Sequence, residues 1–327
     1  VKILITGGCG FIGHHFVEHL IKNTDWEIII FDKLTYAANG FDRLRDINCF
    51  DDRRIRMFTV DFTHQISEGI IQETRDVNYI VHMGAETHVD RSIDNPGPFV
   101  ISNVIGTMHM LDYARKLKHL SKFIMFSTDE VFGPAPDGIF FKETDRYNST
   151  NPYSASKAGA EQLANAYANT YKLPVIITNT MNVFGERQHS EKFIPMCIKK
   201  LLKHERITIH ADPTMTKSGS RFYIHARNVA DALMYILSYI DAPDRFNIVG
   251  EQEITNLGLA ALIAQYLKEQ LVYEMVDFHS SRPGHDLRYA LDGGKLEMIG
   301  WIPPMSFNMS LHKTIQWTLE HPKWLEG

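Results

Sequence analysis

Apolar and polar positions alternate in blocks along this chain. Residues 2–6, Lys-Ile-Leu-Ile-Thr, are a short β-rich run that stops at a cluster of glycines, and 14–22 then has helical spacing. Further strand-like runs lie at 27–31, 55–60, 79–83, 122–126 and 174–180, with helix-like stretches at about 99–117 and from 151 onward. Strands alternating with helices at this spacing predict a parallel, doubly wound α/β sheet, completed by the strand at 174–180. Beyond Met181 the pattern becomes mixed short strands and helices, which predicts a smaller mixed α/β lobe over 181–327 after a first domain at 1–180. The boundary is expected to be interleaved, with part of 221–240 packing back on the first domain.

Ligands of open α/β sheets sit just beyond the carboxyl ends of the strands, so the breaks between blocks carry the candidate chemistry. The first break holds Gly7, Gly10 and Gly13, with Phe11 and Ile12 opening the following helix. Glycines there let backbone approach a pyrophosphate, and the helix N-terminus faces its charge, as in Rossmann-type dinucleotide sites. The second strand ends in Asp32, placed to accept hydrogen bonds from ribose hydroxyls and to repel a 2′-phosphate, so NAD is expected rather than NADP. The central strand runs into Ser127-Thr128-Asp129-Glu130-Val131-Phe132-Gly133, which puts a hydroxyl and two carboxylates where chemistry is done. At 151–157, Asn151 suits an N-cap and Pro152 the first turn, and Tyr153 and Lys157, four apart, share a helix face. An ammonium beside a phenol is expected to lower the phenol's pKa towards neutrality, and the lysine can also hold a nicotinamide ribose.

Composition narrows the function classes. With 34 Lys and Arg against 39 Asp and Glu, the formal charge of -5 lacks the basic excess that nucleic acid or an anionic membrane favours. Three widely spaced cysteines, no leader-like start before the first glycine turn and no apolar run of membrane length lead to the expectation of a cytoplasmic protein. His15 and His19 have one-turn spacing but no evident third ligand, so no metal is expected.

Taken together, these motifs make the chain similar to the extended short-chain dehydrogenases, and within them to the nucleotide-sugar 4,6-dehydratases typified by dTDP-glucose 4,6-dehydratase. The similarity runs through Gly7 to Gly13, 82–92, 127–133, Tyr153 to Lys157, 191–195 and 282–289, and Thr128-Asp129-Glu130 is its most specific part. It implies an NAD-dependent hydro-lyase that oxidises carbon 4 of a nucleoside-diphosphate hexose, removes water across carbons 5 and 6 and returns hydride to carbon 6. By this resemblance Tyr153 is the base on the 4-hydroxyl and Thr128 its hydrogen-bonding partner, Glu130 the base at carbon 5 and Asp129 the acid at the 6-hydroxyl. Asp61 is implied in an adenine contact. Thr87 and His88 are implied near the sugar, Asn182 and Lys192 near the diphosphate, and Arg221, Arg282 and His285 around the phosphates. The small residues of 158–171 imply, with 99–117, a four-helix homodimer contact.

Departures from the family pattern occur at Asn179, where a basic residue is usual, at 182–186, where Asn-Val-Phe-Gly-Glu replaces a tandem asparagine and Tyr-Gly-Pro, and at 217–223. They are expected in the substrate lobe, which leaves dTDP-glucose, UDP-glucose and UDP-N-acetylglucosamine open, together with inversion at carbon 5. A nucleotide-sugar 4-epimerase is the alternative enzyme, and a non-catalytic NAD-binding protein the alternative class.

Overall fold

The computed structural model describes residues 1–35, 38–278 and 287–326. Its strands are β1 (Lys2–Thr6), β2 (Glu27–Asp32), β3 (Ile55–Thr59), β4 (Tyr79–His82), β5 (Lys122–Thr128), β6 (Val175–Thr180), β7 (Asn182–Phe184), β8 (Ile207–Ala211), β9 (Ser220–His225), β10 (Asp244–Ile248), β11 (Glu253–Thr255) and β12 (Tyr273–Asp277). The helices that matter here are α1 (Phe11–Asn23), α2 (Asp42–Asp46), α3 (Glu68–Glu73), α4 (Val89–Asp94), α5 (Gly97–Phe99), α6 (Gly106–Arg115), α7 (Pro152–Tyr171), α8 (Phe193–Leu202), α9 (Ala226–Tyr239) and α10 (Asn256–Leu267).

Seven strands form one parallel sheet in the order β10-β6-β5-β4-β1-β2-β3. Alternate residues of β1 enter opposite cores. Ile3 and Ile5 pack with Phe16 and Leu20 of α1 and Val229 and Leu233 of α9, whereas Leu4 packs with Met110 and Leu111 of α6 and Ala160 and Ala164 of α7. Burial on both faces explains why the inner strands β1, β2, β4, β5 and β6 read as apolar runs. A third core joins α8, α10 and β8 through Ile194, Ile198, Ile209 and Ile263. Two small sheets complete the fold, β11-β9-β7 and β12-β8.

Two expectations are corrected. The sheet does not end at 174–180, because β10 pairs with β6 as its outer strand. Asp244-Arg245-Phe246-Asn247-Ile248 alternates polar and apolar side chains, and Arg245 and Asn247 spend their polar groups on internal partners, so the segment carries no continuous apolar signal. The helix expected over 99–117 is α5 and α6 joined by a π-helical segment, Val100–Ile105. Such segments recur at functional sites. Here the widened turn contains Asn103, which bonds both the N–H and the carbonyl of Glu86 at 2.9 Å and the Ser156 hydroxyl at 2.9 Å.

Glycine is required at two turns that shape the site. Gly7 has φ +72°, and a Cβ at Gly13 would collide with the Gly7 carbonyl, so the α1 N-terminus can close on the β1 end only without side chains. Gly133 has φ +76° and ends the short turn Asp129–Phe132, and a Cβ there would collide with the Asn148 carbonyl. Gly133→Ala should therefore cost roughly 1–3 kcal/mol of stability, read as a lowered urea midpoint with an unchanged slope.

Candidate active site

One cleft runs along the carboxyl ends of β1, β2, β4, β5 and β6, lined at one end by Gly7, Gly10, Phe11, Ile12, Gly13 and Asp32 and at the other by Thr128, Asp129, Glu130, Tyr153 and Lys157. At the first end, the N–H of Gly10 caps the Gly7 carbonyl at 3.0 Å and the Asp32 carboxylate accepts from Cys9 N at 3.0 Å and Leu34 N at 2.8 Å. Burial, offset by these bonds, raises the Asp32 carboxyl's pKa. Arg43, almost wholly buried, lines the same end and is anchored to the carbonyls of Ala38 at 2.7 Å and Arg187 at 3.1 Å. Phe62 also lines this wall. Asp61, by contrast, is exposed and accepts from the N–H and hydroxyl of Thr63, outside the lining.

At the other end, the Thr128 hydroxyl donates to Asp129 Oδ1 at 3.0 Å, accepts from Glu130 N at 3.3 Å and is hydrogen-bonded with Tyr153. α7 begins at a capping box, in which Asn151 accepts from Ser154 N. The Asn151 amide also donates to Glu130 Oε2 at 3.2 Å, and the Tyr289 hydroxyl lies 3.4 Å from the same oxygen. The two carboxylates therefore differ. Glu130 is partly open and hydrogen-bonded, whereas Asp129 is buried and its Oδ2 has no hydrogen-bond partner among the described residues. Burial, then the Glu130 charge, pushes the Asp129 carboxyl up to about 7, opposed by Thr128 and Arg221. A carboxyl that keeps its proton near neutrality beside one that accepts hydrogen bonds is suited to an acid and a base.

The expected lowering of the Tyr153 phenol by Lys157 is not found. Burial, and next the Glu130 carboxylate, raise the phenol well above its ordinary value, against the pull of the Thr128 hydrogen bond. Lys157 is itself buried, donates to the Phe126 carbonyl at 2.8 Å and is held down to about 8 by burial, with Glu161 opposing. The spacing of Tyr153 and Lys157 specified a shared face; it did not specify the loss of water, which dominates both groups.

Among the residues expected to meet the sugar nucleotide, Thr87, Asn182 and Lys192 line the cleft. His88 caps α4 and faces Glu191 at 3.6 Å. Arg221 stacks its guanidinium 4.5 Å from the Tyr289 ring and donates to the carbonyls of Ser220 and Leu287, and its charge favours the ionised form of Asp129. Arg282 and His285 lie outside the described residues.

Two of the departures prove to be internal, not substrate-facing. Asn179 is buried beneath the β5 end, donating to the Thr128 carbonyl at 3.0 Å and to Glu161 at 2.8 Å. Glu186 is buried against His225 at 3.1 Å and Arg227, while His15 meets its carbonyl at 3.1 Å, so it ties α1 to α9. Neither position is exposed enough to signal this in the sequence. Asn103, Arg43 and Phe62 were likewise unread as site residues, because an isolated asparagine, arginine or phenylalanine has no spacing that marks it.

Fold and cleft together define a Rossmann-type enzyme of the extended short-chain dehydrogenase class, with an acidic pair beside its Tyr-x-x-x-Lys helix. A family model described as GDP-mannose 4,6 dehydratase matches residues 4–314. The dTDP-glucose 4,6-dehydratase of Salmonella typhimurium is 36% identical over 350 residues, covering 100% of this chain and 95% of that protein, and the one of Neisseria gonorrhoeae is 36% identical over 340 residues, covering 98% and 96%. The crystal structure of dTDP-glucose 4,6-dehydratase from Streptomyces venezuelae with NAD bound has a TM-score of 0.89 at 35% identity, covering 100% of this chain and 99% of that one. The chain belongs to the GDP-mannose 4,6-dehydratase family. Among the described residues, no helix is long and apolar enough to cross a membrane.

The Asp129 environment has a thermodynamic signature. Its folded-state pKa lies above the unfolded value, so the native state holds the extra proton and stability falls as pH rises from about 4 to 7. Asp129→Asn removes that cost. The variant should gain up to about 4 kcal/mol over the parent at pH 8 and nothing below pH 4, measured by denaturant unfolding across pH.

Proposed function

We propose that this protein is an NAD-dependent dehydratase that converts a nucleoside-diphosphate hexose, dTDP-glucose in the first instance, to its 4-keto-6-deoxy derivative. The unequal carboxylate pair carries this reading, because elimination of water across carbons 5 and 6 needs a base at one carbon and an acid at the other. The named relatives support dTDP-glucose. In this reading the interleaved first domain, 1–180, holds the cofactor and 181–327 the sugar nucleotide.

The glycine turn and the α1 N-terminus hold the pyrophosphate, Asp32 the adenosine ribose and Lys157 the nicotinamide ribose. NAD bound there supplies a hydride acceptor at carbon 4 and a donor at carbon 6, so the reaction needs no outside oxidant. Tyr153, bonded to Thr128, takes the proton of the 4-hydroxyl. Burial and Glu130 oppose ionisation of this phenol, so the phenolate that accepts the proton would be favoured by cationic charge in the cleft. Glu130, oriented by Asn151 and Tyr289, removes the hydrogen on carbon 5 and returns a proton to that carbon once hydride has reached carbon 6. Asp129, kept protonated by burial, gives its proton from the otherwise unpartnered Oδ2 side to the departing 6-hydroxyl. Thr87 and His88 are proposed beside the sugar, Asn182, Lys192 and Arg221 around the diphosphate with Arg282 and His285, and Asp61 at the adenine edge.

We further propose a homodimer through α7 and the stretch from α5 to α6, whose joining π-helical segment exposes Val100, Ile101 and Ile105. Sedimentation at micromolar concentration should give a particle of twice 37.5 kDa; a monomer there removes the dimer.

The functional test is turnover of dTDP-glucose, with UDP-glucose and UDP-N-acetylglucosamine as competitors, in deuterated water. A 6-methyl product with a 4-ketone and deuterium at carbon 5 is expected, and its configuration reports whether carbon 5 is inverted. A product with its 6-hydroxymethyl intact and carbon 4 inverted would make the protein an epimerase. Asp129→Asn with Glu130→Gln should bind NAD as the parent does and lose dehydration by at least about 10²-fold.

A further inference from the structure

Beneath the β5 end lies a polar cluster that the proposed chemistry does not use. Glu161 is wholly buried on α7, one turn beyond Lys157, and its carboxylate accepts from Ser127 Oγ at 2.5 Å, Asn179 Nδ2 at 2.8 Å, Arg245 Nη1 at 2.6 Å and the Tyr147 hydroxyl. Arg245 comes from β10, the outermost strand, and also contacts the Tyr147 hydroxyl. A buried ion pair of this kind is often no more stabilising than an apolar core, so stability alone does not account for it.

Its position suggests another role. Ser127 directly precedes Thr128, and Asn179 holds the Thr128 carbonyl as well as Glu161, so the carboxylate braces the strand residues that carry the acidic pair. On its own helix it is the anion that opposes the loss of the Lys157 proton. The other titratable groups around the lysine are His82 from β4, Tyr153 from α7, and Asp129 and Glu130, which face Tyr153 from the β5 end. His82, buried between Thr6 and Thr107 and held down to about 3, is neutral and supplies no counter-charge.

We infer that Glu161 is a positioning residue that keeps the Lys157 side chain cationic from behind, and that Arg245 of β10 sets how much of the Glu161 charge the lysine feels. The inference rests on the catalytic reading of Tyr153 and Lys157. Its first readout, however, needs neither substrate nor turnover, so the two can fail separately.

The experiment is a pH titration of the Lys157 side-chain carbon resonance, assigned by its loss in Lys157→Arg, in three variants of the full chain. Glu161→Gln keeps the shape but removes the anion, and should lower the Lys157 midpoint by about one pH unit. Arg245→Gln leaves the anion unneutralised among its remaining donors and should raise the midpoint. Arg245→Lys should restore it. The alkaline limb of kcat should move in the same two directions. Shifts of opposite sign cannot arise from loosened packing. Midpoints that stay put, or that move the same way in Glu161→Gln and Arg245→Gln, would overturn the inference, including where both variants merely lose activity by one factor at every pH.

Discussion

Removing Asp129, Tyr153 and Lys157 from water sets the chemistry available between β5 and α7, because burial is the largest influence on the proton of each. Desolvation drives all three towards their neutral forms, upward for the two acids and downward for the amine. What distinguishes them is the second influence. Glu130 adds to the effect on Asp129 and Tyr153, while Glu161 opposes it at Lys157. A site dominated by burial is sensitive to any charge that enters it, and a cationic nicotinamide and an anionic diphosphate are the largest charges a dinucleotide-binding dehydratase admits.

Such a site works only if its walls are fixed, and the hydrogen bonds show how that is arranged. Thr128 is bonded through its hydroxyl on the cleft side and through its carbonyl, by Asn179, on the far side. The opposing loop is held at Glu86 by the π-helical Asn103, which also reaches Ser156 on α7. α7 is therefore tied to two strand ends by buried polar bonds as well as by packing, and such bonds tolerate little displacement.

Much of this was legible in the sequence. The inner strands of the main sheet, buried on both faces, leave apolar runs, glycines at 7 and 13 leave a spacing, and Asn151-Pro152 leaves a helix start; each is a local signal with a local cause. What was not legible depends on contacts between distant residues. β10 hides because its polar side chains find partners on α7 and at the carbonyls of Phe141 and Asp292. Asn179 and Glu186 looked like changes in a binding surface, yet they compensate buried neighbours. The Tyr153 phenol was misjudged for the same reason: its helical spacing from Lys157 is visible, whereas its exclusion from solvent belongs to the whole fold.

The outermost strand of the main sheet comes from 244–248, after the chain has already built β7, β8 and β9 elsewhere. Until that segment arrives, β6 presents a bare edge and the face of α1 that meets α9 is uncovered. During synthesis, then, the main sheet is not closed when the glycine turn, Asp32 and Tyr153 have all been made. It waits for residues 244–248, so the order in which the ribosome delivers the chain is not the order in which the sheets become complete.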